Sequence, residues 1–250
     1  MKIISVVNQK GGVGKTTTII NLAAQFAKYY NVVILDLDPQ GNASSGLGID
    51  KNNLLLSSYD LFNDQKIDIE SLIHKTNVAQ LFVIPSNINL AGVEISLVNQ
   101  ENREFVLRKI LEALALNVDF ILIDCPPSLG LLTVNALTAS NSVIIPVQSE
   151  YYALEGLSQL LQTISIVQGT TNPSLEILGV LLTMYDKRTT LGQEVKAEIE
   201  KYFGDKLFKT VIPRNVRLAE APSHGMTIFD YDRWSKGAKA YKSLAKEILN

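Results

Sequence analysis

Two lysines, Lys10 and Lys15, bracket a glycine-rich turn in the stretch Asn8-Gln9-Lys10-Gly11-Gly12-Val13-Gly14-Lys15-Thr16-Thr17. Glycine lets a backbone approach a ligand closely and turn its N–H groups inward, so Gly11, Gly12 and Gly14 can line a nest for phosphate oxygens. A helix starting near Lys15 would add its N-terminal partial positive charge. Lys15 then lies along the β/γ-phosphates of a nucleotide, and the Thr16 hydroxyl ligates Mg²⁺. The general pattern G-x-x-x-x-G-K-[ST] wants a glycine at position 9. Gln9 stands there instead, followed by a second lysine, and one lysine is enough for the phosphates of its own loop.

Carboxylates supply the other half of the chemistry. Asp124 ends the apolar run Phe120-Ile121-Leu122-Ile123, where a Mg²⁺-shell aspartate is expected. Asp36 and Asp38 follow Val32-Val33-Ile34-Leu35 and, being two residues apart, share one face of an extended segment. A carboxylate near a γ-phosphate is repelled as a ligand but can orient an attacking water. Turn formation before Pro39 is the rival role for Asp38.

The elements that must position these groups are short apolar β-branched runs: Ile3–Val7, Val32–Leu35, Leu81–Ile84, Phe120–Ile123, Val143–Ile145 and Ile177–Leu182. Each is too short for a buried helix and too uniformly apolar for a half-exposed strand, which predicts central parallel strands. Helix-length segments lie between them: Thr16–Tyr30, Glu94–Leu116, Leu154–Gln168 and Gly192–Phe203. The alternation predicts an α/β fold, a single doubly wound, mostly parallel sheet with helices on both faces. No linker or repeat divides the chain, so residues 1–250 are expected to form one P-loop domain. In such a sheet the ligand sits outside the C-terminal strand ends, where the lysine loop, Asp36–Asn42 and Asp124–Ser128 would converge.

Composition bounds the function. The 46% hydrophobic and 19% charged content is that of a globular chain. No run of 18 or more apolar residues and no basic n-region followed by an apolar h-region is present, so neither a membrane span nor a secretory signal is supported. The single cysteine, Cys125, excludes a disulfide framework and fits a reducing cytosol. The phosphate loop starts within ten residues of the N-terminus, so no preceding domain is expected. His74 and His224 have no ligand partners at metal spacing and are expected to be structural or surface residues. Charge is uneven: residues 1–180 hold 10 Lys/Arg against 16 Asp/Glu, and residues 181–250 hold 13 against 9. The basic C-terminal portion could face a polyanion.

Asn8–Thr17, Asp36-Leu37-Asp38-Pro39-Gln40-Gly41-Asn42, Ile123-Asp124-Cys125-Pro126-Pro127-Ser128-Leu129-Gly130 and Val211–Gly225 together resemble the ParA/Soj partition ATPases over essentially the whole chain. That resemblance implies a deviant Walker A loop of the ParA/MinD superfamily, with ATP/ADP and Mg²⁺ as ligands. It makes Lys10 the signature lysine, which crosses a two-fold interface to the nucleotide of the partner subunit, so that the homodimer forms with ATP. Lys10, Lys15 and Asp38 become the catalytic set, with Asp38 positioning water. Thr16, Asp36 and Asp124 become the metal residues, and Lys10–Thr17 the phosphate contacts, Val13 and Thr17 included. The adenine pocket points to Met184, Asp186, Pro213, Arg214 and Asn215.

By the same resemblance Arg188 and Arg217 match DNA-contacting arginines, so an ATP-bound dimer is expected to bind double-stranded DNA nonspecifically. A ParB-like activator would stimulate hydrolysis to segregate chromosome or plasmid DNA in a cytoplasmic, nucleoid-associated protein. A MinD-like ATPase acting on a membrane or protein cargo is the alternative. Membrane targeting is disfavoured: Ala238–Asn250 has Tyr241, Leu244, Ala245 and Ile248 at helical spacing but neither Phe nor Trp.

Overall fold

The β-branched runs fold into strands whose side chains alternate between two apolar layers. Val32 and Ile34 enter one layer with Ile19, Phe26 and Tyr241. Val33 and Leu35 enter the other with Leu97, Leu132 and Leu160. Such period-2 partition is what a strand buried on both faces requires.

In a computed structural model, which describes residues 1–63, 68–113, 117–150 and 153–250, one sheet holds seven strands among the described residues. They are β1 (Lys2–Val6), β2 (Val32–Asp36), β3 (His74–Lys75), β4 (Leu81–Ile84), β5 (Phe120–Asp124), β6 (Ser142–Gln148) and β7 (Glu176–Thr183). Their order is β3-β4-β2-β5-β1-β6-β7. Only the β3–β4 pair is antiparallel.

The connections carry α1 (Lys15–Phe26), α2 (Asn42–Gly46), α3 (Ser58–Asn63), α4 (Ala91–Leu97), α5 (Val106–Ala113), α6 (Leu131–Ala139), α7 (Ala153–Thr170), α8 (Thr190–Phe203), α9 (Val216–Glu220), α10 (Ile228–Tyr231) and α11 (Lys236–Leu249). Residues of α1, α10 and α11 pack in one layer and those of α3 to α8 in the other. The sheet is therefore doubly wound and mostly parallel, as the alternating pattern implies. Strand order puts β2, β5 and β1 side by side, so the three polar loops leave the sheet at one edge.

Three expectations are corrected, and one strand was not foreseen. The segment Glu94–Leu116 is not one helix: α4 ends at Leu97, a turn spans Arg103–Phe105, and α5 follows. Asn102, which precedes that turn as its cap, takes φ 54°, a left-handed conformation that Asn tolerates better than most residues. Residues 114–116 of that segment lie outside the described residues. The helix expected over Thr16–Tyr30 ends at Phe26. β3 went unforeseen because His74-Lys75 carries no apolar run.

β7, read as central, is the last strand of the sheet. Its apolar character fits because Phe208 N–H donates to the Val180 carbonyl at 3.0 Å and Ile212 N–H to Leu182 at 2.9 Å. The chain after α8 thus covers the strand's open edge.

Candidate active site

The lysine loop is pinned before it can bind anything. Asn8 Nδ2 donates to the Pro146 carbonyl (2.7 Å), the Lys10 amide to Asn8 Oδ1 (2.9 Å), and Gln9 Nε2 to the Gly156 carbonyl (2.9 Å). From β7, Thr183 Oγ1 donates to the Val13 carbonyl at 2.8 Å. Gly12 (φ 75°) and Gly14 (φ 90°) hold left-handed backbone that a side chain would strain. Gly11 and Gly12 face open space, and Gly14 caps the N-terminus of α1. A loop with exposed glycines above a helix N-terminus can receive an anion's oxygens. Thr17, half-buried in the first turn of α1, uses its carbonyl to accept from Asn21 Nδ2 (2.8 Å).

The two lysines diverge. Lys15 is buried, and its Nζ donates to the Lys10 carbonyl at 3.3 Å. Burial lowers its pKa, against the opposing pull of Asp124 and Asp38. Lys10 stays half-exposed and pairs with Glu150 Oε2 at 2.7 Å, while Gln148 Nε2 donates to Glu150 Oε1 at 2.6 Å. Sequence reasoning missed Glu150, and no local signal could have found a partner 140 positions away.

The carboxylates sit at the ends of adjacent strands, Asp36 in register with Asp124. Thr16 Oγ1 donates to Asp124 Oδ2 at 2.7 Å, and Asp124 Oδ1 is buried with no partner. Burial pushes the Asp124 pKa well up, with Asp36 adding to the effect. A buried acidic oxygen without a donor, beside a threonine hydroxyl, fits a hard divalent cation.

Asp36 differs. Its Oδ1 accepts from the Asp38 amide (3.1 Å), and its Oδ2 from the Ser44 amide (2.9 Å) and Ser44 Oγ (2.7 Å). Its Oδ2 therefore holds α2 in place, and its Oδ1 the turn that Asp38 begins. Its pKa is raised to about 6, chiefly by burial. Asp38, 7% exposed, accepts from the Gln40 amide through Oδ1 at 2.9 Å. That bond makes the turn-forming role real, yet Oδ2 carries no hydrogen bond among the described residues and stays free for a second task.

The two expected adenine segments meet. Tyr185 bridges Pro213, its amide donates to the Ile212 carbonyl (3.0 Å), and the Arg214 amide donates back to Tyr185 (3.4 Å). Met184 takes φ 52°, a conformation uncommon outside glycine that clusters at functional sites. Asp186 and Asn215 are committed elsewhere: Asp186 to Arg188, and Asn215 Oδ1 to the Arg217 amide at 2.9 Å, capping α9. The DNA candidates lie apart from the phosphate loop and are both paired. Arg188 meets Asp186 at 2.9 and 2.7 Å, which holds that carboxyl below its usual range. Arg217 meets Glu220 at 2.9 Å and Asp232 at 3.7 Å.

A protein-family profile described as an AAA domain matches residues 1–177. The sporulation initiation inhibitor protein Soj of Bacillus subtilis is 59% identical over 248 residues, covering 99% of this chain and 98% of its own. The chromosome-partitioning ATPase Soj of Treponema pallidum is 52% identical, with 99% and 97% covered. Among solved structures, a cobyrinic acid a,c-diamide synthase from Mycobacterium smegmatis with a bound ATP analog and magnesium superposes at a TM-score of 0.89. Its identity is 37%, with 100% of this chain and 94% of that one covered. Near-complete coverage at such identity, on a fold whose strand ends bring the lysine loop and its aspartates together, means that this chain belongs to the ParA/Soj family of chromosome-partitioning proteins.

Proposed function

We propose that this chain is a Mg²⁺-dependent ATPase that dimerises on binding ATP and, as a dimer, binds duplex DNA irrespective of sequence. A ParB-like partner stimulates its slow hydrolysis, and the cycle segregates chromosome or plasmid DNA from a cytoplasmic, nucleoid-associated protein. The division between the two loop lysines carries this reading. Lys15 is turned inward over the carboxylates and serves its own nucleotide. Lys10 is turned outward onto Glu150 and is available to another chain.

Two triphosphates brought face to face repel, and an exchanged pair of ammonium groups offsets that repulsion. The Lys10–Glu150 pair is half-exposed, and pairs of that kind contribute only about 0–1 kcal/mol. A partner's triphosphate can displace it.

Within one site the amides of Gly11–Lys15 cradle the phosphate oxygens and Lys15 neutralises them. Thr16 and the unpartnered Asp124 oxygen would hold Mg²⁺, which when bound supplies positive charge to the phosphates. Asp38 presents its free oxygen to water. Asp36 supports the metal site from behind by fixing α2. The Met184–Asp186 and Pro213–Asn215 strips flank the base, and Arg188 and Arg217 turn toward DNA. The M. smegmatis neighbour supports the nucleotide site, while the 59% identity to Soj favours partition over amide synthesis.

On a membrane-bound reading α11 would need a free apolar face, but Tyr241, Leu244 and Ala245 are buried against the α1 layer. Co-sedimentation of protein loaded with ATP and Mg²⁺ tests the choice. Pelleting with nonspecific duplex DNA and not with anionic liposomes is expected. Pelleting with liposomes alone would put the MinD-like cycle in its place.

A further inference from the structure

The short turn Ile88–Leu90 and α4 run together as one helical stretch with two apolar faces. Leu90, Val93 and Leu97 are buried in the core layer that also holds Leu132. Ile88, Ile95 and Val98 stand on the other face and are 67%, 78% and 52% exposed. With Ala91 and Gly92 between them they recur at three- and four-residue spacing, which makes one stripe along a helix. A Cβ on Gly92 would meet nothing within 4 Å, so the stripe has an open notch between its two isoleucines. Single exposed apolar residues are ordinary, but contiguous ones mark an interaction surface.

Charge around the stripe selects what covers it. Residues 50–104 hold 4 Lys/Arg against 8 Asp/Glu. Of those cations, Lys51 donates to the Gln40 carbonyl and Arg103 pairs with Glu104 at 3.1 Å. Glu101, exposed three residues past Val98, has no ion pair among the described residues. An apolar stripe in an acidic stretch is complementary to a helix with apolar residues on one face and Lys or Arg on the other. The same stretch touches both nucleotide loops. Ser86, two residues before Ile88, lies against the loop that carries Asp38, its carbonyl oxygen 2.7 Å from where a Cβ on Gly41 would be. Glu94 of α4 lies over Gly130 closely enough to exclude a Cβ there, and its Oε1 accepts from the Leu132 amide at 3.4 Å, where α6 leaves the Asp124 loop. We propose that the Ile88–Val98 stripe docks a basic amphipathic helix of the activating partner. The inference rests on the partner-stimulated hydrolysis proposed above and gives that partner a place and a chemistry, beside the loops that carry Asp38 and Asp124.

The test compares parent protein with an Ile88→Ser/Ile95→Ser variant, both loaded with ATP and Mg²⁺. The probe is a labelled synthetic helical peptide with leucine on one face and lysine on the other, set against a twin that carries glutamate for lysine. Fluorescence anisotropy should show the parent binding the lysine peptide, more weakly as salt rises, and not the glutamate twin. Turnover of the parent should rise when the lysine peptide is added. The variant should dimerise with ATP and hydrolyse it at the parent's unstimulated rate, but bind the peptide at least about tenfold more weakly, the scale of one truncated interface anchor. Equal affinity in the variant, or equal binding of both peptides by the parent, overturns the inference. A variant that takes up ATP but no longer dimerises overturns it in favour of a second copy of this chain as the occupant. Peptide binding that leaves the parent's turnover unchanged overturns the assignment to an activator. A parent that hydrolyses no ATP with or without peptide removes the underlying reading instead, while the anisotropy still reports on the stripe, so the two failures are distinguishable.

Discussion

Lys10 and Lys15 come from one ten-residue stretch, yet their environments give them different consequences when removed. Lys15→Ala deletes the charge beside the phosphates, and ATP binding measured by calorimetry should be lost. Lys10→Ala should leave that binding intact and abolish the ATP-dependent dimer on size-exclusion chromatography. A normal dimer in that variant would reduce Lys10 to a surface residue. Glu150→Gln frees Lys10 in each subunit, so ATP-dependent dimerisation should tighten by up to about thirtyfold, the scale of two half-exposed ion pairs of about 1 kcal/mol each. Sedimentation velocity over a dilution series reads this, and an unchanged midpoint would mean that Glu150 does not restrain Lys10. Asp38→Ala should retain ATP in a stable dimer while phosphate release falls by about 10²-fold or more. Turnover at the parental rate would move the water-positioning role elsewhere.

At the scale of elements, Ser44 shows what the sequence could not. Its hydroxyl donates to Asp36 and accepts from the Ser86 amide at 2.9 Å, tying α2 to both the β2 and β4 strand ends. Ser44→Ala would leave both buried partners short of a bond, an expected loss of about 1–3 kcal/mol in urea unfolding. A loss within error would show that water replaces the hydroxyl. Strands were legible because Val32–Leu35 and Phe120–Ile123 are buried on both faces and read as unbroken apolar runs. The lysine loop was legible as a candidate phosphate site because that chemistry needs consecutive residues. The left-handed turns at Asn102 and Met184, the role of Asp36 as anchor of α2, and the Thr183 clamp on Val13 were not. They depend on tertiary neighbours rather than on local pattern.

For the whole molecule, the clustered carboxylates predict an unusual pH response. Asp36 is raised to about 6 and Asp124 well above its ordinary value, so the folded chain keeps protons that the unfolded chain releases above about pH 4. Their stabilising contribution is full below that pH and is lost as pH rises through the folded values. Protein free of metal and nucleotide should therefore melt at a higher temperature at about pH 5 than at about pH 7.5, and saturating ATP with Mg²⁺ should narrow the gap. Calorimetry that finds a higher melting temperature at the upper pH in the free protein would contradict the burial assigned to these acids.

Strand order also sets when this protein can begin to act during its own synthesis. β1 and the lysine loop leave the ribosome first, but β1 pairs with β5 and β6, and the loop is clasped by Pro146, Gly156 and Thr183. An emerging chain shorter than about that last residue holds the phosphate-binding sequence without the phosphate-binding shape, because non-local partners must arrive before a parallel sheet closes. On the proposed reading, nucleotide capture thereby becomes a late event of translation, and products truncated before Thr183 are expected not to retain ATP.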